Sequence, residues 1–304
     1  MRTCLSLALA ALLAPTAACA GKPQLAFERE ITLPVSELSG ITLMSTAAGT
    51  DLLAVGDESY DLFVVPVVGD APDLDRVRRI ALPIPSRKGG SDFEGVAVDA
   101  AGTVWVLHEP GHLYGFALAA GDATAAPTLV REGPIHFASS HPLAAAWEAD
   151  PKTRAEGLAW VGERLFIVKQ KAPVALIELA WVDGRFEAGA HWPLPGLDDA
   201  SELAVRTVGG VSELFVVGAD SARLCAFPVP PARPVASAEP LPCSASWEMP
   251  KQLGSGKLQW EALAFFPDGR AFAGVDRKKA THANLGLLPI LPSLAPGGAQ
   301  PNAR

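Results

Sequence analysis

The chain has 304 residues, of which 49% are hydrophobic and only 19% charged, with 27 prolines, 28 glycines and a formal net charge of −8. That size allows one sizeable core, and the acidic balance, with no run of Lys or Arg, excludes a nucleic-acid partner as the expected ligand. Beyond the N-terminus no apolar stretch approaches the length of a membrane span.

Met1-Arg2 and the apolar run Leu5 to Ala14 predict a signal peptide over 1–20. Ala18-Cys19-Ala20 fits cleavage before Gly21, whereas Thr16-Ala17-Ala18-Cys19 resembles a lipoprotein box that would leave a lipid anchor at Cys19. The expectation is export, to the periplasm, to the medium or to the outer membrane as a lipoprotein. A short linker, 21–27, leads to the main domain, 28–288, and a Pro/Gly/Ala-rich tail, 289–304, reads as disordered.

Within the domain one pattern recurs. The first copy is Glu37-Leu38-Ser39-Gly40-Ile41-Thr42, then Leu52 to Ser59, then Leu62 to Val65. The second runs from Asp92-Phe93-Glu94-Gly95 through Val104-Trp105-Val106-Leu107-His108-Glu109 to Leu113 to Phe116. The third, Arg154 to Leu179, places Glu156-Gly157-Leu158 before a turn and Leu165-Phe166-Ile167-Val168 after it, with Asp183-Gly184 signalling a hairpin into a fourth strand. The fourth copy contains Ser201-Glu202-Leu203, Leu214 to Ser221 and Leu224 to Phe227, and the fifth Trp260-Glu261-Ala262, Ala271 to Lys278 and Asn284 to Leu288.

Gly40, Gly95, Gly157, Glu202 and Ala262 share one register, at intervals of 45 to 62 residues. The expected fold is all-β: a single β-propeller, five blades favoured and six the alternative. The fifth copy lacks a fourth strand, and Glu28 to Leu33 is expected to supply it and close the ring. Small residues at the shared register suit strands crowding a narrow axis; Glu202 breaks that rule, as functional positions do.

Because the first two strands of a blade are antiparallel, the start of one and the end of the next meet at one mouth. Candidate metal ligands there are Glu94, Glu156, Glu202 and Glu261, and calcium is the cation expected, since hard divalent ions take oxygen donors. Candidate ligand-binding residues are Asp57, His108, Glu109, Lys169, Lys171, Asp220, Asp276 and Arg277, with Lys169, Lys171, Arg277 and Lys278 forming an anion-accepting side. The alternative reading of the acids is as inter-blade ties. Cys225 and Cys243 are expected to form a disulfide contributing about 3 kcal/mol. No G-x-S-x-G, H-E-x-x-H or C-x-x-C occurs, so no catalytic residue is assigned.

These motifs, E-L-S-G-I-T with A-V-G-D-E-S, D-F-E-G-V-A with V-L-H-E-P, A-E-G-L-A with F-I-V-K-Q-K-A-P, and W-E-A-L-A, resemble the SdiA-regulated, YjiK-like family, related to phytase-like propellers. The resemblance implies an envelope β-propeller with a calcium site in its channel. The related phytases are Ca²⁺-dependent phosphoesterases. Glu202 and Ala262 stand where the family shows Gly, and the dense acidic set of those phytases is missing. The function expected is an exported propeller, a monomer, binding a small molecule or protein at the channel mouth, with or without calcium. A Ca²⁺-dependent phosphoesterase or lactonase is the alternative.

Overall fold

The computed structural model describes residues 22–84, 90–119, 126–232, 239–251, 253, 258–279 and 281–292. The signal peptide, Cys19, part of the connection that begins at Ser86, and 293–304 lie outside the described residues.

The described chain is nearly all strand. β1 (Arg29–Ile31) precedes a first unit of β2 (Leu38–Thr46), β3 (Gly49–Gly56) and β4 (Asp61–Val68), with β5 (Ala71–Pro72) and β6 (Arg78–Ala81) both pairing along β4. A second unit contains β7 (Phe93–Val98), β8 (Val104–His108), β9 (His112–Ala117) and β10 (Thr128–His136). After a short helix, α1 (Ala144–Ala149), come β11 (Gly157–Val161), β12 (Arg164–Lys169), β13 (Ala175–Val182) and β14 (Arg185–Pro193). A fourth unit is β15 (Glu202–Val208), β16 (Val211–Gly218), β17 (Arg223–Pro228) and β18 (Ala245–Glu248). The last strands are β19 (Trp260–Phe265), β20 (Ala271–Val275) and β21 (Leu285–Leu288).

β1 pairs antiparallel with β21, Arg29 opposite Leu287 and Ile31 opposite Leu285, so the strand before the first copy completes the last sheet. Hydrogen bonding does not run round the molecule as one closed ring. It forms four sheets, of which the largest has eight strands because β10 and β14 join in parallel through Ile135 with Phe186 and His136 with Glu187. That lateral join was not expected from the sequence.

Packing carries the organisation where hydrogen bonding stops. Apolar clusters lie between β2–β6 and the second unit, around Leu53, Val96 and Phe116; between β7–β10 and β11–β14, around Trp105, Leu158 and Ile167; and between β11–β14 and β15–β18, around Phe166, Leu203 and Phe227. Two more join β15–β18 to β19–β21 through Phe215 and Trp260, and β19–β21 back to β2–β4 through Phe272, Leu285 and Ile41. The middle strands are therefore covered on both faces. That is why Val104 to His108, Leu165 to Lys169 and Ala271 to Val275 read as continuous apolar runs without alternation. Aromatic contacts bridge neighbouring units, including Trp105 with Trp160 at 5.6 Å and Phe215 with Phe265 at 4.4 Å. Such pairs add about 0.5–1.5 kcal/mol each beyond their burial.

The two ends are better anchored than the sequence suggests. Leu25 is buried and its N–H donates to Glu248 O, while Phe27 packs on Trp260, so the expected linker docks on the fold. Leu291 is also buried. Arg206, in a fully buried ion pair with Glu213 (2.5 Å), donates to the carbonyls of Leu291 and Pro292. Leu291 and Pro292 are thus tied to β15. Asn284, with no exposed surface, brackets the chain between β1 and β2: its Oδ1 accepts from Leu33 N–H at 2.7 Å and its Nδ2 donates to Leu33 and Val35 carbonyls.

Candidate functional site

The starts of β2, β7, β11, β15 and β19 converge at one end of the molecule. The shared register is narrow there. A Cβ added to Gly40 would lie 2.7 Å from Gly95 Cα, and one added to Gly157 would strike the Leu203 amide nitrogen, so neither position has room for a side chain. Below this constriction the five strands enclose an axial cavity of about 130 Å³, lined by 41–43, 96–98, 158–160, 203–205 and 263–265.

Above it the acids gather, and the backbone aims several of them. The ladders of β2, β7 and β19 each slip by one residue, at Ser39, Glu94 and Glu261. A β-bulge leaves one extra residue and redirects its side chain, a device common beside binding sites. Two residues upstream of the first two bulges, Glu37 (φ 47°) and Asp92 (φ 49°) sit in the left-handed region, where non-glycine residues are uncommon and mark constrained sites. The same turns are stitched to the preceding unit: Glu37 N–H donates to Arg277 O, Ser91 and Asp92 N–H donate to Asp57 O, and Ala200 N–H donates to Gln170 O.

Glu94 and Glu156 are buried. Burial first, then Glu156, Asp57, Glu261 and Glu109, push Glu94 well above the usual carboxylate range. Burial and the Glu261, Glu109 and Asp57 charges do the same to Glu156. Glu261 is raised by burial and by Asp276, Asp57, Glu37 and Asp199. Asp57 reaches about 6, chiefly through burial, although the Ser39 hydroxyl donates to it at 2.5 Å. Glu109 reaches about 7 through burial and the charges of Asp92 and Asp57, with Lys152 opposing. Asp276 is raised by burial, with Lys278 opposing.

Glu202 has a different role from its neighbours. It is 2% exposed, one carboxylate oxygen accepts the Leu203 amide at 2.7 Å, and the Ile41 and Leu263 amides also act on it; burial drives its pKa well up. The Leu203 amide belongs to the same strand as Glu202, β15, so the bond that holds this carboxylate is local. Its Oε2 is buried without a hydrogen-bond partner. Asp199, just ahead of β15, is buried with Oδ2 accepting the Asp220 amide at 2.9 Å and Oδ1 unpartnered.

Several expected ligands are placed elsewhere. His108 is 4% exposed and packs between the rings of Phe93 and Tyr114, because the end of β8 turns it into the core. Lys169 is 2% exposed with Nζ donating to Lys171 O at 2.8 Å, and burial lowers its pKa. Lys171 lies exposed opposite Asp220 at 3.9 Å. Arg277 donates to the carbonyls of Ala283 and Leu253, which makes it a loop tie. The anion-accepting side expected from these three with Lys278 is therefore not assembled, since each of the three has its own local partner.

The calcium expectation meets a similar limit. Among the described residues no group of three or more His, Cys, Asp or Glu side chains is arranged to hold a metal ion. The oxygen donors suit calcium chemically, but one Glu202 oxygen is taken by the Leu203 amide and one Asp57 oxygen by the Ser39 hydroxyl. The expected disulfide is also absent. Cys225 and Cys243 are free cysteines, and the Cys243 thiol donates to Ala245 O at 2.8 Å. No helix among the described residues is long and apolar enough to cross a membrane.

No family model and no curated protein matches the chain. Among solved structures it is similar to the PQQ-bound aldose sugar dehydrogenase of Streptomyces coelicolor, with 13% identity over 88% of this chain and 99% of that one and a TM-score of 0.45. It is similar to the Malassezia sympodialis allergen Mala s 1, at 13% identity over 83% and 78% with a TM-score of 0.47. A third likeness is to Staphylococcus aureus virginiamycin B lyase, at 11% identity over 86% and 69% with a TM-score of 0.41. At such identities and scores nothing that those proteins bind or act on carries over.

Proposed function

We propose that this chain is an exported five-bladed β-propeller that binds a small cationic ligand, an amine in type, at the acidic mouth of its channel. Five blades are supported by the apolar clusters that link each unit to the next and the last to the first. Export to the envelope is supported by the N-terminal sequence and by the motifs shared with the SdiA-regulated family. A monomer, with the ligand a small molecule rather than nucleic acid, remains part of the reading.

One observation carries the ligand class. Burial first, and then the charges of neighbouring acids, raise Glu94, Glu156, Glu261, Asp57 and Glu109 together, so the mouth is a place where bound positive charge would be favoured in place of protons. An ammonium group needs several oxygen acceptors but no fixed coordination shell, which suits acids that do not meet at one point. The Ca²⁺-dependent hydrolase alternative needs a convergence of carboxylates that the pairings of Glu202 and Asp57 work against.

Calorimetric titration of the purified protein with spermidine, with calcium and with a neutral diol of similar length tests this. Binding of spermidine, weakened by Glu94→Gln and Glu156→Gln, is expected. Calcium bound with spermidine ignored would replace this reading by the metal one, and silence of both cations would remove the mouth as a cation site.

A further inference from the structure

A second concavity lies on the same face, away from the axis. It is a cleft of about 670 Å³ between the β15–β18 and β19–β21 sheets. Its position follows from the strand ends: Asp198 precedes β15, Arg223 opens β17, Glu248 closes β18 and Trp260 opens β19. The N-terminal segment also reaches it, because Gln24 bridges to Glu248 and brings Lys22 to the rim.

Its charge balance is opposite to that of the mouth. Three cations from three separate segments, Lys22, Arg223 and Lys251, line it against two acids, Asp198 and Glu248. Arg223 is the fixed member: its Nη1 donates to Gly196 O at 2.7 Å, which holds the guanidinium plane. The Nε–H of the same group is buried and has no hydrogen-bond partner. A buried donor without an acceptor is costly, commonly by about 1–3 kcal/mol, and a ligand oxygen would relieve it. Neither acid supplies that oxygen; Glu248 stands opposite Arg223 in the β17–β18 ladder yet forms no ion pair with it among the described residues. Leu258, Met249 and Trp260 give the cleft an apolar wall.

We propose that this cleft binds an organic carboxylate with an apolar or aromatic body. The carboxylate accepts from Arg223 Nε–H, with Lys22 and Lys251 adding attraction at the rim, and the body lies against Leu258, Met249 and Trp260. A planar guanidinium matches a planar carboxylate, and a cleft of this volume is within the range of small-molecule sites. The site is separate from the acidic mouth and does not depend on what the mouth binds.

Phenylacetate is the probe, with benzyl alcohol as its uncharged counterpart and inorganic phosphate as an anion without an apolar body. Chemical-shift perturbation and calorimetry on the full chain should detect phenylacetate and neither control. Affinity should fall at least tenfold in Arg223→Gln, about 1.4 kcal/mol, and by less in Lys251→Gln, and should be unchanged in Glu94→Gln. Should Arg223→Gln fail to fold, the exposed Lys251→Gln still reads the charge term. No phenylacetate binding, binding equal in wild type and both variants, or binding of phosphate in its place would overturn the proposal.

Discussion

Glu94, at the bulge of β7, and Glu156, just before β11, are both buried, and after burial the charge of Glu156 is the largest influence raising Glu94. Two buried carboxylates whose charges act on each other cannot both be ionised without repulsion, so the pair retains a proton at pH values where isolated acids have lost theirs. The side chains that a sequence reading assigns to a metal are thus, in the folded chain, acids that hold their protons more tightly than isolated carboxyls do.

Replacing either member by its amide removes a charge from a crowded site while keeping a hydrogen-bonding group. Glu94→Gln and Glu156→Gln are therefore expected to raise the melting temperature at pH 8 by a few degrees, the scale of about 1 kcal/mol. Differential scanning calorimetry checks this; a large loss of stability would show that the ionised acids hold the units together.

The pH dependence has two opposing parts. Asp57 and Glu109 are raised to about 6 and about 7 from ordinary values of 3.8 and 4.5. The native state then binds protons more tightly than the unfolded chain, so their contribution is fully present below about pH 4 and lost as pH rises through 6 and 7. His141 and His191 are lowered from 6.5 by burial. Their neutral forms are favoured by folding, and stability falls as pH drops below 6.5. Below 6.5 the two parts oppose each other, and above it only the loss through Glu109 remains, so the melting temperature should fall as pH rises past 6.5. His191→Gln should steepen the fall below 6.5 and leave that above it in place.

The cysteine pair should titrate as two thiols in the native protein. The neighbouring Cys225 thiol first, with Arg223 assisting, lowers Cys243 to about 7, whereas the Cys243 thiol and burial raise Cys225. Alkylation followed by peptide mass mapping should modify Cys243 first, with a pH midpoint near 7. A pair unreactive until a reductant is added would instead establish a disulfide.

Arg206 ties β15 to the segment after β21 through Glu213, Leu291 and Pro292. Arg206→Met leaves Glu213 buried without its partner, and a loss of about 3–5 kcal/mol is expected. Proteolysis after Leu288 should accelerate in parallel. The double variant Arg206→Met, Glu213→Leu should recover much of the stability, since two buried charges leave together.

Much of the architecture was legible because it repeats. The apolar runs around Val106, Ile167 and Val216 announce buried strands, and Gly40, Gly95 and Gly157 mark a crowded axis that the close approach to Gly95 and Leu203 bears out. The broken rule at Glu202 also pointed to the axis. What remained hidden is side-chain direction. His108 and Lys169 end their strands at the expected end, yet both turn inward, and strand-end spacing does not encode that. The bulges at Ser39, Glu94 and Glu261 likewise leave no spacing signal. Asn284 and Arg206 find partners 251 and 85 residues away, so nothing local identifies their bracing roles.

The most direct measurement is the proton count on cation binding at the mouth, from titrations of spermidine into the protein at pH 7 in buffers of different ionisation enthalpy. Replacement of the proton held by Glu94 and Glu156 predicts a net release of about one proton, abolished in the Glu94→Gln, Glu156→Gln double variant. Spermidine binding with no proton released in the wild type, or no binding in any buffer, would contradict a proton-storing cation site.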